Sequence, residues 1–202
     1  MLIVVRHGRT AANASGLLQG RIDHPLDEIG LAQARRIADA LGEVDRVVAS
    51  PLRRAQETAE ALDQVVETDP RWLELDYGDI DGTAVRDVPE EIWRRWRTDP
   101  DYAPPGGESY ASLHERVFEA CVDLMADAAT RTVVVVSHVS PIKAAIGWAL
   151  GVPSSTAFRC FLDQASISRI DQGRLGPVLR SYNETWHLAG IAGTSALAWA
   201  PS

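Results

Sequence analysis

The chain reads as an α/β domain with a doubly wound, mostly parallel sheet flanked by helices, and three observations predict it. Three β-branched runs, Leu2–Val5, Arg46–Ala49 and Thr132–Val136, are apolar almost throughout rather than alternating, the pattern of strands covered by helices on both faces. Between them lie stretches whose apolar residues recur with helical spacing. Strand and helix therefore alternate along the chain, which favours a parallel sheet over a sandwich or a bundle.

The elements follow in order. In Asp27–Leu41 the residues Ile29, Leu31, Ala34, Ile37, Ala38 and Leu41 fall on one side, with Asp27 placed to cap the first turn. Further helices are predicted from Pro51 to about Leu62, from about Ser109 to Ala128, and from about Pro141 to Leu150, the last stopped by Gly151. Residues 76–108 interrupt the alternation: the stretch is acidic, carries Trp93 and Trp96, and closes on Pro104-Pro105-Gly106-Gly107. It is read as a small cap insertion over the C-terminal edge of the strands. Phe158–Leu162, Ser166–Asp171 and Val178–Tyr182, with a turn around Gln172-Gly173, are expected to complete one side of the sheet as short strands. The domain is expected to span residues 1–187, with 188–202 as a tail.

Composition narrows the classes of function. A length of 202 residues, 46% of them apolar and 24% charged, suits one domain with a sizeable core. A net charge of −8 argues against nucleic-acid binding, which takes a broad basic surface, so an anionic substrate needs a local basic pocket. Cys121 and Cys160 have no metal-ligand spacing and are read as small core hydrophobes in a reducing compartment. The start of the chain lacks a basic leader, and no run approaches the roughly 20 apolar residues of a bilayer helix. The expectation is a cytoplasmic protein with no membrane partner; a homodimer is left open.

In a doubly wound sheet, ligands sit outside the carboxyl ends of the strands. Arg6-His7-Gly8 follows the first strand, Ser50-Pro51-Leu52-Arg53 the second and Ser137-His138 the third, so all three groups open on one edge. Two arginines and two histidines there suit a phosphate. Arginine offers a permanently charged planar fork to the phosphate oxygens, a neutral imidazole is a competent nucleophile, and the second histidine can donate as charge develops. Other chemistries lack their residues: there is no Gly-x-Ser-x-Gly elbow, no Gly-x-x-x-x-Gly-Lys loop and no metal-ligand pairing of the five histidines. Asp79-Ile80-Asp81-Gly82 holds only part of a calcium loop and is read as a polar turn.

At Arg6-His7-Gly8-Arg9-Thr10 the chain resembles the histidine phosphatase superfamily, also called phosphoglycerate mutase-like, and the resemblance runs on in order. Asn13 stands where that family has a phosphate-loop asparagine, and Gln19-Gly20-Arg21-Ile22-Asp23-His24-Pro25-Leu26 is similar to the loop that follows. Ser50-Pro51-Leu52-Arg53-Arg54-Ala55-Gln56-Glu57-Thr58-Ala59 is similar to the block with the second arginine, taken as Arg53. Leu73-Glu74-Leu75-Asp76-Tyr77-Gly78 resembles the block with the acid, taken as Glu74 although Asp76, Asp79 and Asp81 lie near. Gly106-Gly107-Glu108-Ser109 and Val136-Ser137-His138 complete the set. Arg9 and Val139 depart from the pattern, which usually has an acid or its amide at the first and glycine at the second.

The resemblance implies a phosphomonoester hydrolase that works without metal or cofactor. His7 is the nucleophile, Glu74 the proton donor, and Arg6, Asn13, Gln19, Arg53 and His138 bind the phosphate of a small phosphorylated substrate. Two alternatives stay open: a phosphoglycerate mutase-type transfer, and a non-catalytic phospho-ligand-binding module. Within the cap, Arg94, Arg95 and Arg97 are read either as a solvated helix face or as cations for a second anionic group.

Overall fold

The apolar runs become strands because every residue in them meets a helix layer. In a computed structural model, which describes residues 1–191, β1 (Leu2–Arg6), β2 (Arg46–Ala49), β3 (Val66–Thr68), β4 (Val133–Ser137), β5 (Ile167–Gly173) and β6 (Gly176–Glu184) form one sheet in the order β3-β2-β4-β1-β5-β6. The first four pair in parallel, and β5 and β6 join antiparallel at the β1 side. Leu2, Val4, Val133 and Val135 face one core, whereas Ile3, Val5, Val134 and Val136 face the other. Period-two alternation is present, but both faces are dry, so the sequence shows no polar positions.

The two cores divide the helices. α2 (Glu28–Leu41) and α3 (Arg53–Glu60) supply Ile37, Ala55 and Ala59 to one, while α5 (Tyr110–Ala128) and α6 (Val139–Leu150) supply Leu113, Val117, Ile142 and Ala145 to the other. The chain leaves β1 toward α2 and leaves β4 toward α6, on opposite faces. Because β1 and β4 are neighbours with Arg6 beside Ser137, their loops diverge and leave a crevice at the carboxyl ends. That crevice holds His7 and His138.

A close backbone approach fixes the loop after β1. Gly8 and Gly30 touch there: a Cβ on Gly8 would lie 2.6 Å from the Gly30 carbonyl oxygen, and a Cβ on Gly30 would lie 2.0 Å from that of Arg9. Arg9 also bonds Asp27 at 2.8 Å, while the other Asp27 carboxylate oxygen accepts from the Gly30 amide at 2.8 Å. Arg9 therefore pins the start of α2 to the loop. Gly30→Ala is expected to destabilise the protein by at least about 2 kcal/mol despite alanine's better helix propensity, because the clash is with backbone. Urea unfolding checks this, and an unchanged midpoint would contradict it.

Several boundaries differ from expectation. α6 begins at Val139 rather than near Pro141, directly after its cap residue His138, with Pro141 in the first turn, where no amide partner is lost. Phe158–Leu162 is not a strand: residues Ser154–Arg159 form a 3-10 turn. The carbonyls of Phe161 and Leu162 accept from the Tyr182 hydroxyl and the Arg6 guanidinium instead of from a neighbouring strand. The β5–β6 turn falls after Gly173, at residues 174–175.

Residues 76–108 carry α4 (Glu90–Thr98), with Trp96 buried against Tyr77, Trp93 and Tyr102. Bonds from Leu18 to Thr83 and from Gly82 to Leu18 tie this stretch to the loop that follows the short helix α1 (Ala11–Ala14). Of the expected tail, Leu188 is buried on the α2 side; residues 192–202 lie outside the described residues. Among the described residues no helix is long and apolar enough to cross a membrane.

Candidate active site

His7 sits just past β1 with its backbone still clamped, its amide donating to Ser137 and its carbonyl accepting from Ala165. Its Nδ1 lies 2.7 Å from the Gly8 carbonyl oxygen. A carbonyl can only accept, so Nδ1 carries the proton and Nε2 keeps its lone pair. Burial, then the charges of Arg54 and Arg6, hold the His7 pKa well below 6.5. The ring is thus neutral near pH 7 and offers an unprotonated nitrogen. Its neighbour His138, with ring centroids 5.1 Å apart, is depressed in the same way by burial and then by Arg54, His7 and Arg6.

Of the two adjacent arginines, the structure brings Arg54, not the expected Arg53, beside the histidines. Arg54 is fully buried: its Nε donates to His138 Nδ1 at 3.2 Å, and its two terminal nitrogens donate to the carbonyls of Ile22 (3.0 Å) and Gly20 (2.7 Å). Arg53 turns away, 61% exposed, and pairs with Glu57 at 2.6 Å. Helical periodicity explains the difference. Arg54, Ala55, Thr58 and Ala59 form the buried face of α3, and one residue back is a rotation of about 100°. The small residues Ala55, Thr58 and Ala59 mark that face in the sequence, while Arg53 and Glu57, four apart, form an i,i+4 pair of the kind that occupies solvent faces. Burial lowers the Arg54 pKa to about 10 despite Glu74, Asp23 and Asp81, which leaves it charged at neutral pH.

Three of the five Arg54 N–H groups are thus spent on protein acceptors, and two remain for an anion. Arg6 donates one terminal nitrogen to the Leu162 carbonyl at 2.6 Å. Its Nε is buried without a partner among the described residues, and so is Nε2 of Gln19. Asn13 forms a capping box with Thr10, whose hydroxyl lies 3.1 Å from Asn13 Oδ1 and 2.8 Å from Gln19 Oε1. With both side-chain oxygens turned to Thr10, the two amide nitrogens are the groups left for an anion.

His138 is less free than expected. Because Nδ1 accepts from Arg54, the proton is on Nε2, which donates to Ser50 Oγ at 2.8 Å. In this arrangement His138 orients Arg54, and it meets a phosphate oxygen only by giving up Ser50.

The four nearby carboxylates separate clearly. Glu74 is 3% exposed, with Oε2 accepting from the Val139 amide at 3.0 Å and Oε1 from the Ser140 and Leu75 amides at 3.1 and 2.8 Å. It therefore takes up the first amides of α6. Asp81 instead accepts from the amides of Gly20, Arg21 and Ile22, shaping the loop whose carbonyls hold Arg54. Asp76 bonds its own turn at Gly78, and Asp79 is exposed.

Two residues without an assigned role support Glu74. Arg116 donates to the Arg71 and Glu74 carbonyls and forms a fork to Glu108 at 2.7 and 2.8 Å, and Glu108 also takes Arg21 at 3.4 Å. Glu108 was visible in its motif, but its partner on α5 was not. Among the described residues no three of His, Cys, Asp and Glu converge as metal ligands.

Two buried neutral histidines give a pH-dependent stability. Their folded pKa values lie below the unfolded value of 6.5, so stability is complete above that pH and declines as pH falls below it, when the unfolded chain takes up protons first. The expected slope approaches about 1.4 kcal/mol per pH unit for each histidine. Urea midpoints between about pH 7.5 and 5.5 test it, and His7→Gln should flatten the slope. A midpoint constant over that range would contradict the burial of neutral rings.

The chain is similar to several known proteins. Mycobacterium proteins are 37% identical over 179 residues, 83% of this chain, which spans about half (49%) of their length. A phosphoserine phosphatase 1 of Hydrogenobacter thermophilus is 36% identical over 93% of each chain, and a probable phosphoglycerate mutase of Proteus mirabilis is 32% identical over 94% of this chain and 95% of its own. The crystal structure of an Entamoeba histolytica phosphoserine phosphatase mutant in complex with phosphoserine superposes with a TM-score of 0.86 at 30% identity, over 93% of this chain and 98% of that one. The family model for branch 1 of the histidine phosphatase superfamily matches residues 2–185, and the chain belongs to that family.

Proposed function

We propose that the chain hydrolyses phosphomonoesters of small metabolites through a phosphohistidine on His7. The observation that carries the reading is a neutral, buried His7 with Nε2 unprotonated, beside two arginines and the unpartnered buried donors Arg6 Nε and Gln19 Nε2. A cluster of donors without acceptors fits an oxyanion. The phosphatase names of several similar proteins point the same way.

Arg6, Arg54, Asn13 and Gln19 hold the phosphate oxygens, with His138 keeping Arg54 in place. The His7 Nε2 lone pair attacks phosphorus in line, the P–O ester bond breaks, and Glu74 delivers a proton to the departing oxygen. Water then attacks phosphorus, gives its proton to Glu74, and the P–N bond breaks to release phosphate. The arginines stabilise the charge that gathers on the three peripheral oxygens, the service a metal ion performs in other phosphoryl-transfer sites.

A mutase must retain its product and exclude water through both halves of the reaction. Arg94 is exposed and pairs with Glu91, and Arg95 stacks on Tyr102 near Asp99. This favours the solvated reading of that helix over a second-phosphate clamp. The experiment is hydrolysis of p-nitrophenyl phosphate in EDTA, with 3-phosphoglycerate followed for both phosphate release and isomerisation. Phosphate release from both supports the phosphatase. Isomerisation without release would establish a mutase, and binding without turnover a phospho-ligand module.

A further inference from the structure

Arg6 and His7 are both held by a turn at residues 162–166 that lies outside the motif blocks. Arg6 donates a terminal nitrogen to the Leu162 carbonyl at 2.6 Å, and its amide donates to the Ser166 carbonyl at 3.0 Å. Between these points the Ala165 amide donates to the His7 carbonyl at 3.1 Å. Ala165 is fully buried at φ 57°, and its own carbonyl accepts from His187 Nε2 at 2.9 Å. The turn therefore touches the phosphate-binding arginine twice and the nucleophile once.

Two adjacent residues of β6 hold this turn. β5 and β6 change register between Ile167 and Arg169, where Tyr182 and Asn183 both stand opposite Ser168. Two residues facing one make a β-bulge, a device that re-aims side chains. Asn183 has φ 56°, a left-handed conformation that asparagine tolerates, and its amide donates to Ser168 Oγ at 3.1 Å rather than to a ladder carbonyl. Among the described residues only Asp63, Ala165 and Asn183 are non-glycine residues with positive φ. Two of the three lie in this one assembly, and such conformations persist where the surroundings enforce them.

The re-aimed side chains grip Leu162 from both sides. Asn183 Oδ1 accepts from the Asp163 amide at 2.7 Å, and its Nδ2 donates to Asp163 Oδ2 at 2.8 Å. The Tyr182 hydroxyl donates to the Phe161 carbonyl. With its neighbours tied down, Leu162 presents its carbonyl to Arg6 in one direction. A guanidinium is planar, so with its stem anchored in β1 one fixed N–H directs the rest. Those include Nε, which is buried without a partner among the described residues.

We propose that Asn183, with Tyr182, is a positioning residue for phosphoryl transfer: from the bulge it holds the Leu162 carbonyl that aims Arg6 at the phosphate. The role in catalysis rests on the phosphomonoesterase reading above, whereas the aiming of Arg6 at an anion needs no turnover.

The test uses Asn183→Gly, which keeps the left-handed backbone and removes only the side chain, and Tyr182→Phe, which loses only the hydroxyl. Each is made in the wild type and in Arg6→Lys. The readouts are kcat and KM for p-nitrophenyl phosphate in EDTA and Kd for inorganic phosphate, at a temperature where circular dichroism shows the protein folded. In the wild-type background Asn183→Gly is expected to lower kcat/KM about 10-fold and Tyr182→Phe about fivefold, with the phosphate Kd rising in step. In Arg6→Lys neither should add more than about twofold, because the guanidinium they aim is gone. Losses of equal size in both backgrounds would make the bulge a structural support only and overturn the proposal, as would unchanged kcat/KM and Kd in folded Asn183→Gly. If Asn183→Gly does not fold, Tyr182→Phe decides by the same comparison. If the Kd values follow the expected pattern with no hydrolysis, the phosphatase reading falls and the aiming of Arg6 stands. A wild type that neither hydrolyses the ester nor binds phosphate would overturn both.

Discussion

The His7→Ala variant is expected to lose at least about 10⁴-fold in kcat on any phosphomonoester, with its fold intact. The size follows from the role. Without the imidazole there is no group to accept the phosphoryl, and the remaining donors stabilise charge with no nucleophile to use them. The stability consequence is small by comparison. His7 makes one side-chain hydrogen bond, to the adjacent carbonyl, so its loss leaves no distant group unpaired. Steady-state hydrolysis with EDTA present measures the effect, together with circular dichroism of the variant. Retention of more than about 1% of wild-type kcat would place the nucleophile elsewhere.

Substitution of Arg54 and of Arg53 should give opposite results, although the two are adjacent. Arg54→Ala removes a buried cation beside both histidines and is expected to cost about 10²- to 10³-fold in kcat/KM, the usual scale for a preorganised donor to a developing oxyanion. It also strands the Gly20 and Ile22 carbonyls and destabilises the protein. Arg54→Lys retains the charge without the planar fork, and separates charge from geometry if the alanine variant is poorly folded. Arg53→Ala loses only an exposed pair with Glu57 and should stay within about threefold of wild type. Inactivity of Arg53→Ala alongside an active, folded Arg54→Ala would reverse the assignment.

That pair also marks how far the sequence could be read. The strands were legible because hydrophobic runs of four or five residues in a helix-alternating chain have few other places to go, and the shared edge of Arg6, His7 and His138 followed from topology. β3 was not legible: three residues at the edge, preceded by the exposed Val65, offer little apolar signal. Phe158–Leu162 misled because the alternation of Phe158, Cys160 and Leu162 imitates a strand, whereas its carbonyls serve side chains that only the fold brings near.

Within the site, choosing between Arg53 and Arg54 required the phase of α3. The small residues Ala55, Thr58 and Ala59 carried that information, but matching blocks by order alone does not use it. Motif spacing singles out Glu74 among four carboxylates, and the structure separates it from the others by its burial against the first amides of α6. The Arg116–Glu108 fork and the bond from Arg54 to His138 were out of reach, since each joins residues distant in sequence through side-chain direction.

The most direct test of the central claim is to mix the protein with a ³²P-labelled phosphomonoester, quench within milliseconds, and map the labelled peptide. The account predicts an acid-labile, base-stable label on the peptide that contains His7, absent from His7→Ala and discharged as inorganic phosphate when the unquenched protein is chased with unlabelled substrate. Label on another residue, or turnover with undiminished rate in His7→Ala, would contradict it.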